Sequence, residues 1–380
     1  METSCLPRRD FLRGLSAIPV AARAGGLGEE EAGVPALREL AGGRPLIGVA
    51  VPTHAEREFG KGEKELLAAH FDSVTPENCM KWQNLCPGPG DYHLEPVDEL
   101  FGVAEANRQK VVGHTLLFNR EHDFPGWILR DGDGEADEGL LWRRIEEHVV
   151  KLMTRYKGRV DSWDVLNEFV EPDQPGYRET GLTRILGGGF PARLFRLAAE
   201  IDPGAKLVYN DFGIEEPRRR AAVIDFVRSL QDQGCRVDVV GSQSHLEVDG
   251  DYREEIEATI REFSALGVRT AFTELDVDVI PRRLYWNPET RAEAVRQDPY
   301  RDGASPEVLE RQAEVYRGVF EAVMANRKDV DRVTFWGISD GGSWLNDWPW
   351  RRVNHPLLFD RELALKPAFY AVAEVLRAAG

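Results

Sequence analysis

The chain has 380 residues, 42% hydrophobic and 9% aromatic, enough to bury one large core. Its 48 basic and 65 acidic residues leave a net charge of −17, which repels polyanions and lacks the basic footprint of a nucleic-acid binder. No apolar run reaches the roughly 18 residues that a membrane span requires.

The N-terminal stretch 7-PRRDFLRGLSAIPVAARAGG-26 pairs Arg8 with Arg9 ahead of a short, mildly apolar segment, then offers Ala22-Arg23-Ala24 as an A-x-A cleavage pattern. This resembles a twin-arginine export signal over residues 1–24, and the expectation is an exported protein, periplasmic or extracellular. A basic leader without an address is the alternative. Residues 25–44 read as a lead-in segment, and residues 45–380 as one catalytic domain. Cys79, Cys86 and Cys235 remain beyond the leader, an odd number with no C-x-x-C spacing. Neither a disulfide scaffold nor a zinc site is indicated, although a Cys79–Cys86 bridge stays open.

From residue 45 short β-branched runs alternate with longer amphipathic ones. The strand-like runs are 45-PLIGVAV-51, 73-SVTPEN-78, 111-VVGHTLLF-118, 160-VDSWDVLNE-168, 206-KLVYND-211, 237-VDVVGSQSHL-246, 269-RTAFTELDV-277 and 331-DRVTFWGIS-339. Between them lie helical patterns such as 139–158, 219–234 and 306–323, with Gly158 and Gly234 as stops, and 366–379 closes the chain. Strand then helix, eight times over, predicts an α/β fold, a single parallel (β/α)8 TIM barrel.

Such barrels place their chemistry at the carboxyl ends of the strands. There the sequence puts Glu77, Asn78 and Lys81, His114, Asn167 and Glu168, Asn210 and Asp211, Gln243 and His245, Glu274 and Asp276, and finally Trp336 and Trp344. Polar groups at so many strand ends cost free energy unless solvent, partners or a task justify them. Two glutamates among neutral hydrogen-bonding groups and indoles suit glycosidic cleavage, which needs one carboxyl to protonate the departing oxygen and another to attack or to activate water. Metal-assisted hydrolysis would call for clustered imidazoles, yet His54, His114 and His245 stand apart in the sequence. The segment 340-DGGSW-344 is poor in glycine for a phosphate site.

The set 75-TPENCMKW-82, 113-GHT-115, 163-WDVLNE-168, 208-VYND-211, 241-GSQSHL-246, 273-TELDV-277 and 335-FWGISDGGSW-344 resembles glycoside hydrolase family 10, the endo-1,4-β-xylanases, in the family's order over residues 45–375. The resemblance implies a retaining enzyme with Glu168 as acid/base and Glu274 as nucleophile, its carboxyls roughly 5 Å apart. It implies that His245, oriented by Asp276, supports Glu274. Asn167 would meet the 2-hydroxyl of the sugar being cleaved; His114, Gln243, Trp336 and Trp344 would line that subsite, and Glu77, Asn78 and Lys81 the next one on the non-reducing side. The implied partner is xylan and its oligosaccharides, handled by a monomer without cofactor or metal. Rival readings are a glucan-cleaving enzyme of related type, a sugar-binding protein on a decayed scaffold, and a metal-dependent hydrolase.

Trp82 reads equally as groove wall or core, and Asn210 and Asp211 as groups near the acid/base or as caps. Two departures from the family pattern stand out. Phe118 and Asn119 occupy positions where a Trp-His pair is usual, and a long polar connection, 278–303, follows strand seven. Long loops in compact domains tend to be functional or disordered, and Tyr285 or Trp286 is expected to help form an acceptor subsite.

Overall fold

The computed structural model describes residues 35–52, 60–171, 176–282, 284, 290, 292 and 298–380. Residues 1–24, expected to be an export signal, the first half of the lead-in, His54, Tyr285 and Trp286 lie outside these residues. Eight parallel strands form the centre: β1 (Leu46–Val51), β2 (Ser73–Pro76), β3 (Lys110–Phe118), β4 (Val160–Asn167), β5 (Lys206–Asp211), β6 (Val239–Ser242), β7 (Arg269–Asp278) and β8 (Val330–Phe335). They pair in sequence order, and β8 returns to β1 through Leu46 opposite Arg332 and Val49 opposite Phe335, closing the barrel. Because helices cover the outside and side chains fill the inside, the strands are buried on both faces, which is why they read as apolar runs rather than alternating ones.

The principal helices following the strands are α1 (Lys61–His70), α2 (Glu95–Ala106), α3 (Glu138–Arg155), α4 (Phe190–Ile201), α5 (Pro217–Asp232), α6 (Arg253–Ser264), α7 (Pro306–Ala325) and α8 (Pro367–Ala379). Helix α3 shows the local logic. The Asp137 side chain accepts from Leu140 N at 2.7 Å, capping the first turn, and Leu141, Trp142, Ile145, His148, Val149 and Leu152 recur on one buried stripe. Proline in the first turn of α4, α5, α7 and α8 occupies positions where no amide donor is needed. Gly158 and Gly234 follow α3 and α5 with φ of 74° and 75°, a conformation that favours glycine, so both work as the expected stops.

Several strand ends differ from the sequence reading; β2, for one, stops at Pro76 rather than Asn78. Strand β4 stops at Asn167 because Glu168 turns left-handed at φ 54°, and β8 stops at Phe335. Strand β6 ends at Ser242; Ser244 then adopts φ 55°, and His245–Glu247 resumes alongside Asp276–Asp278 of β7. Within the lead-in, Leu37–Leu40 forms a short helix whose Leu37 is fully buried and donates its amide to His70 Nδ1 at 3.3 Å. Cys79, Cys86 and Cys235 are buried thiols in no disulfide, so Cys79 and Cys86 are not bridged. Among the described residues no helix is long and apolar enough to cross a membrane, and no three His, Cys, Asp or Glu side chains group to hold a metal ion.

Candidate active site

At the carboxyl ends of β4 to β7 a buried hydrogen-bond network joins Glu168 to Glu274. Gln243 Nε2 donates to Glu168 Oε1 at 3.1 Å and lies 3.5 Å from Asn167 Oδ1. Asn210 Nδ2 bridges Asn167 Oδ1 and Glu274 Oε1, both at 2.9 Å, and its own Oδ1 accepts from Thr273 Oγ1 at 2.6 Å. Four successive strands thus contribute to one constellation, which positions it more rigidly than loops alone could. Asn210 therefore touches the second carboxylate directly. Asn167 Nδ2 is buried and makes no hydrogen bond with the described residues.

The left-handed turn at Glu168 is held by its amide, which donates to Asn210 O at 2.9 Å. Its Oε2 accepts from Arg178 Nη1, also at 2.9 Å. Arg178 was not expected from the sequence; the available signal was a basic residue ten positions after a strand-end acid.

Glu274 sits in a different field. Burial pushes its carboxyl up, but the hydrogen bond from His245 and the electrostatic pull of His114, His245 and Lys81 outweigh that, leaving it below the usual glutamate value. His245 lies between two acids, with Nε2 3.3 Å from Glu274 Oε2 and Nδ1 3.1 Å from Asp276 Oδ1. Burial disfavours its charge, yet Asp276 and Glu274 together raise its pKa to about 9. Asp276 also accepts from Trp344 Nε1 at 2.8 Å, and the Trp344 ring lies 4.9 Å from His245.

His114 Nδ1 lies 2.8 Å from Asp164 Oδ2, and Asp164 Oδ1 lies 3.5 Å from buried Arg332 of β8, so the barrel interior orients this imidazole. Trp336 meets His114 edge-on at 5.5 Å. Lys81 Nζ donates to Asn78 Oδ1 at 3.0 Å and stands 6.0 Å from the Phe118 ring centre; Glu77, just past β2, donates its amide to Val51 O. Asp211 is wholly buried and reaches Arg219 Nη2 at 2.5 Å, Phe212 N at 2.9 Å and the Tyr209 hydroxyl. Burial raises its pKa to about 6 against the pull of Arg219, with help from the nearby carboxyl of Glu168.

Two of the uncertain positions acquire clear surroundings. Trp82 is buried, stacked 4.1 Å from His148 and edge-on to Trp127, so it belongs to the core. Asn119 is also buried, accepting from Thr180 Oγ1 at 2.7 Å and donating to Arg178 O at 3.2 Å.

Two acids, one beside an arginine and the other beside an imidazolium, framed by amides and indoles, form a site for sugar chemistry. The glycosyl hydrolase family 10 model matches residues 36–375. The chain belongs to glycosyl hydrolase family 10. It is a glycoside hydrolase. Endo-1,4-β-xylanase A of Xylanibacter ruminicola is 32% identical over 97% of this chain and 98% of the relative. The structure of a GH10 endoxylanase retrieved from a sugarcane soil metagenome superposes with a TM-score of 0.83 at 35% identity, covering 90% of this chain and 99% of that one. A mutant structure in complex with xylotriose gives 0.81 at 31% identity, over 89% and 99%.

Proposed function

We propose that this family 10 member is a retaining endo-1,4-β-xylanase that cuts internal bonds of xylan by double displacement, with Glu168 as acid/base and Glu274 as nucleophile. The observation that carries the roles is the asymmetry of the two carboxyls. Glu274, held by Asn210 and facing the His245 imidazolium, is kept as the anion a nucleophile must be. In the first step Glu274 attacks the anomeric carbon while Glu168 gives its proton to the departing glycosidic oxygen. With Glu274 then esterified to the sugar, its negative charge is gone, and Glu168 accepts a proton from the water that attacks the same carbon. Neither step calls for a metal or a cofactor.

Asn167 Nδ2, aimed from a buried position with no partner among the described residues, suits the sugar 2-hydroxyl, a contact that strengthens in the transition state. Glu77, Asn78 and Lys81 suit the next xylose on the non-reducing side, while His114, Gln243, Trp336 and Trp344 surround the reacting ring. The substrate assignment follows the kinship with xylanases and the xylotriose-bound neighbour. Product analysis on xylan and on carboxymethylcellulose tests it: release of xylo-oligosaccharides alone is expected, and equal or greater cleavage of the glucan overturns it.

The enzyme works as an exported monomer with its catalytic domain in residues 45–380 and its twin-arginine signal in residues 1–24. Replacing Arg8 and Arg9 together with lysine should retain activity inside the cell; undiminished export would end that reading.

A further inference from the structure

We propose that Arg178 is a positioning residue for the acid/base carboxyl, and that Asn119 holds Arg178 in place for this task. The inference rests on the assignment of Glu168 as acid/base and extends it to residues that take no part in the bond chemistry. Glu168 is gripped through both oxygens, Oε1 by the Gln243 amide at 3.1 Å and Oε2 by the Arg178 guanidinium at 2.9 Å. Either contact alone leaves the carboxyl free to swing about its last bond; the two together fix its plane. A proton donor must meet the glycosidic oxygen along one direction, so fixing that plane is worth rate.

The loop carrying Arg178 is anchored in a way that leaves this reach as its consequence. Arg178 N donates to Phe169 O at 2.8 Å, and Arg178 O accepts from Asn119 Nδ2 at 3.2 Å and from Thr183 Oγ1 at 3.1 Å. Asn119 closes the arrangement by accepting from Thr180 Oγ1, the cap of the short helix Gly181–Leu186. A side-chain amide offers a donor and an acceptor at one terminus, which this double contact uses; a neutral imidazole carries its donor and acceptor on separate ring nitrogens. Asn119 at the end of β3 thus does work that a histidine there could not do in the same geometry, linking the β3 end to the loop after β4. The Arg178 guanidinium also lies 5.7 Å from the Phe212 ring, and its side chain is mostly shielded, so the contact with Glu168 is poorly screened.

The test uses two aryl β-xylobiosides that differ only in leaving group. 2,4-Dinitrophenolate departs without a proton, whereas phenolate needs one from the enzyme. Arg178→Met keeps the stem and removes the charge; Arg178→Lys keeps a cation but loses the fork. With Arg178→Met, kcat/KM on the phenyl substrate should fall about 10- to 100-fold while the dinitrophenyl substrate changes by less than about threefold. Arg178→Lys should recover part of the loss on the phenyl substrate. Equal losses on both substrates, or no loss on either, overturn the assignment. Should Arg178→Met fail to fold, Arg178→Lys decides by the same selectivity. Glu168→Ala, measured beside them, separates the two levels of the inference. If it shows the selective loss and the Arg178 variants do not, only the positioning role falls. If it loses both substrates alike, the acid/base assignment fails and takes the role of Arg178 with it.

Discussion

His245 Nε2 faces Glu274 Oε2 at 3.3 Å, and the imidazole is held protonated by that acid and by Asp276 on its other nitrogen. The pair carries a pH signature. His245 binds its proton more tightly in the folded chain, so its stabilisation is complete below the ordinary value of 6.5 and is lost as pH rises through about 9. The contribution is on the order of 3 kcal/mol at most. Glu274 is shifted the other way, so its contribution is present above the ordinary value of 4.5 and is lost as pH falls through its lower folded value. Melting curves from pH 7 to pH 10 should show a falling Tm in the parent and a flatter response in His245→Asn. Parallel curves for the two proteins would contradict the pairing.

Asn210 should behave as part of the active site rather than as a strand cap. Asn210→Ala removes a donor from Glu274 and from Asn167 and leaves the buried Thr273 hydroxyl without its acceptor. Stability should fall by about 1–3 kcal/mol. Because Glu274 is the proposed nucleophile, and misplacing it would affect the reaction more than binding, kcat should drop about 10- to 100-fold with little change in KM. Steady-state kinetics check this, and a rise in KM at constant kcat would place Asn210 elsewhere in the mechanism.

Asp211 and Arg219 form a buried ion pair, 2.5 Å apart, at the carboxyl end of β5. Asp211→Ala strands a buried guanidinium and should cost about 3–5 kcal/mol. Chemical denaturation reads the loss directly. A change below about 1 kcal/mol would mean that Arg219 finds a new partner or solvent.

Gly113 of β3 lies opposite Trp163 of β4, and a β-carbon there would stand 2.1 Å from Trp163 Cε3. Trp163 is fully buried and has no open side to retreat into. Gly113→Ala should destabilise by about 1–3 kcal/mol or more through overpacking. Denaturant titration showing parent-like stability would mean that the tryptophan can turn aside.

Much of this was legible in the sequence because a closed parallel barrel buries both faces of each strand, so each is written as a β-branched run with a polar end. Val239 to Ser242 follows that rule closely, whereas Val160 to Asn167 carries Asp161, Ser162 and Asp164 within its run. The break in β6 was not legible. It depends on Ser242 and Ser244 both donating to Glu215, a residue 27 positions from the nearer serine, and on the left-handed turn at Ser244. Trp82 reads the same in sequence as groove wall or core, because the His148 ring of α3 that stacks on it comes from 66 positions away. Asn210 was visible as a polar strand end, whereas its contact with Glu274, 64 positions away, belongs to the closed barrel. Arg178 carries little signal in the sequence because a loop arginine has no periodicity, and only folding brings its guanidinium to Glu168.

The central claim, that Glu274 attacks and Glu168 serves both steps, fixes the stereochemistry of the product. NMR of a xylo-oligosaccharide digest, recorded before the sugars mutarotate, reads the configuration of the first reducing ends directly. The β-anomer is the expected first product, and an initial α-anomer would contradict the double displacement and with it the role given to Glu274.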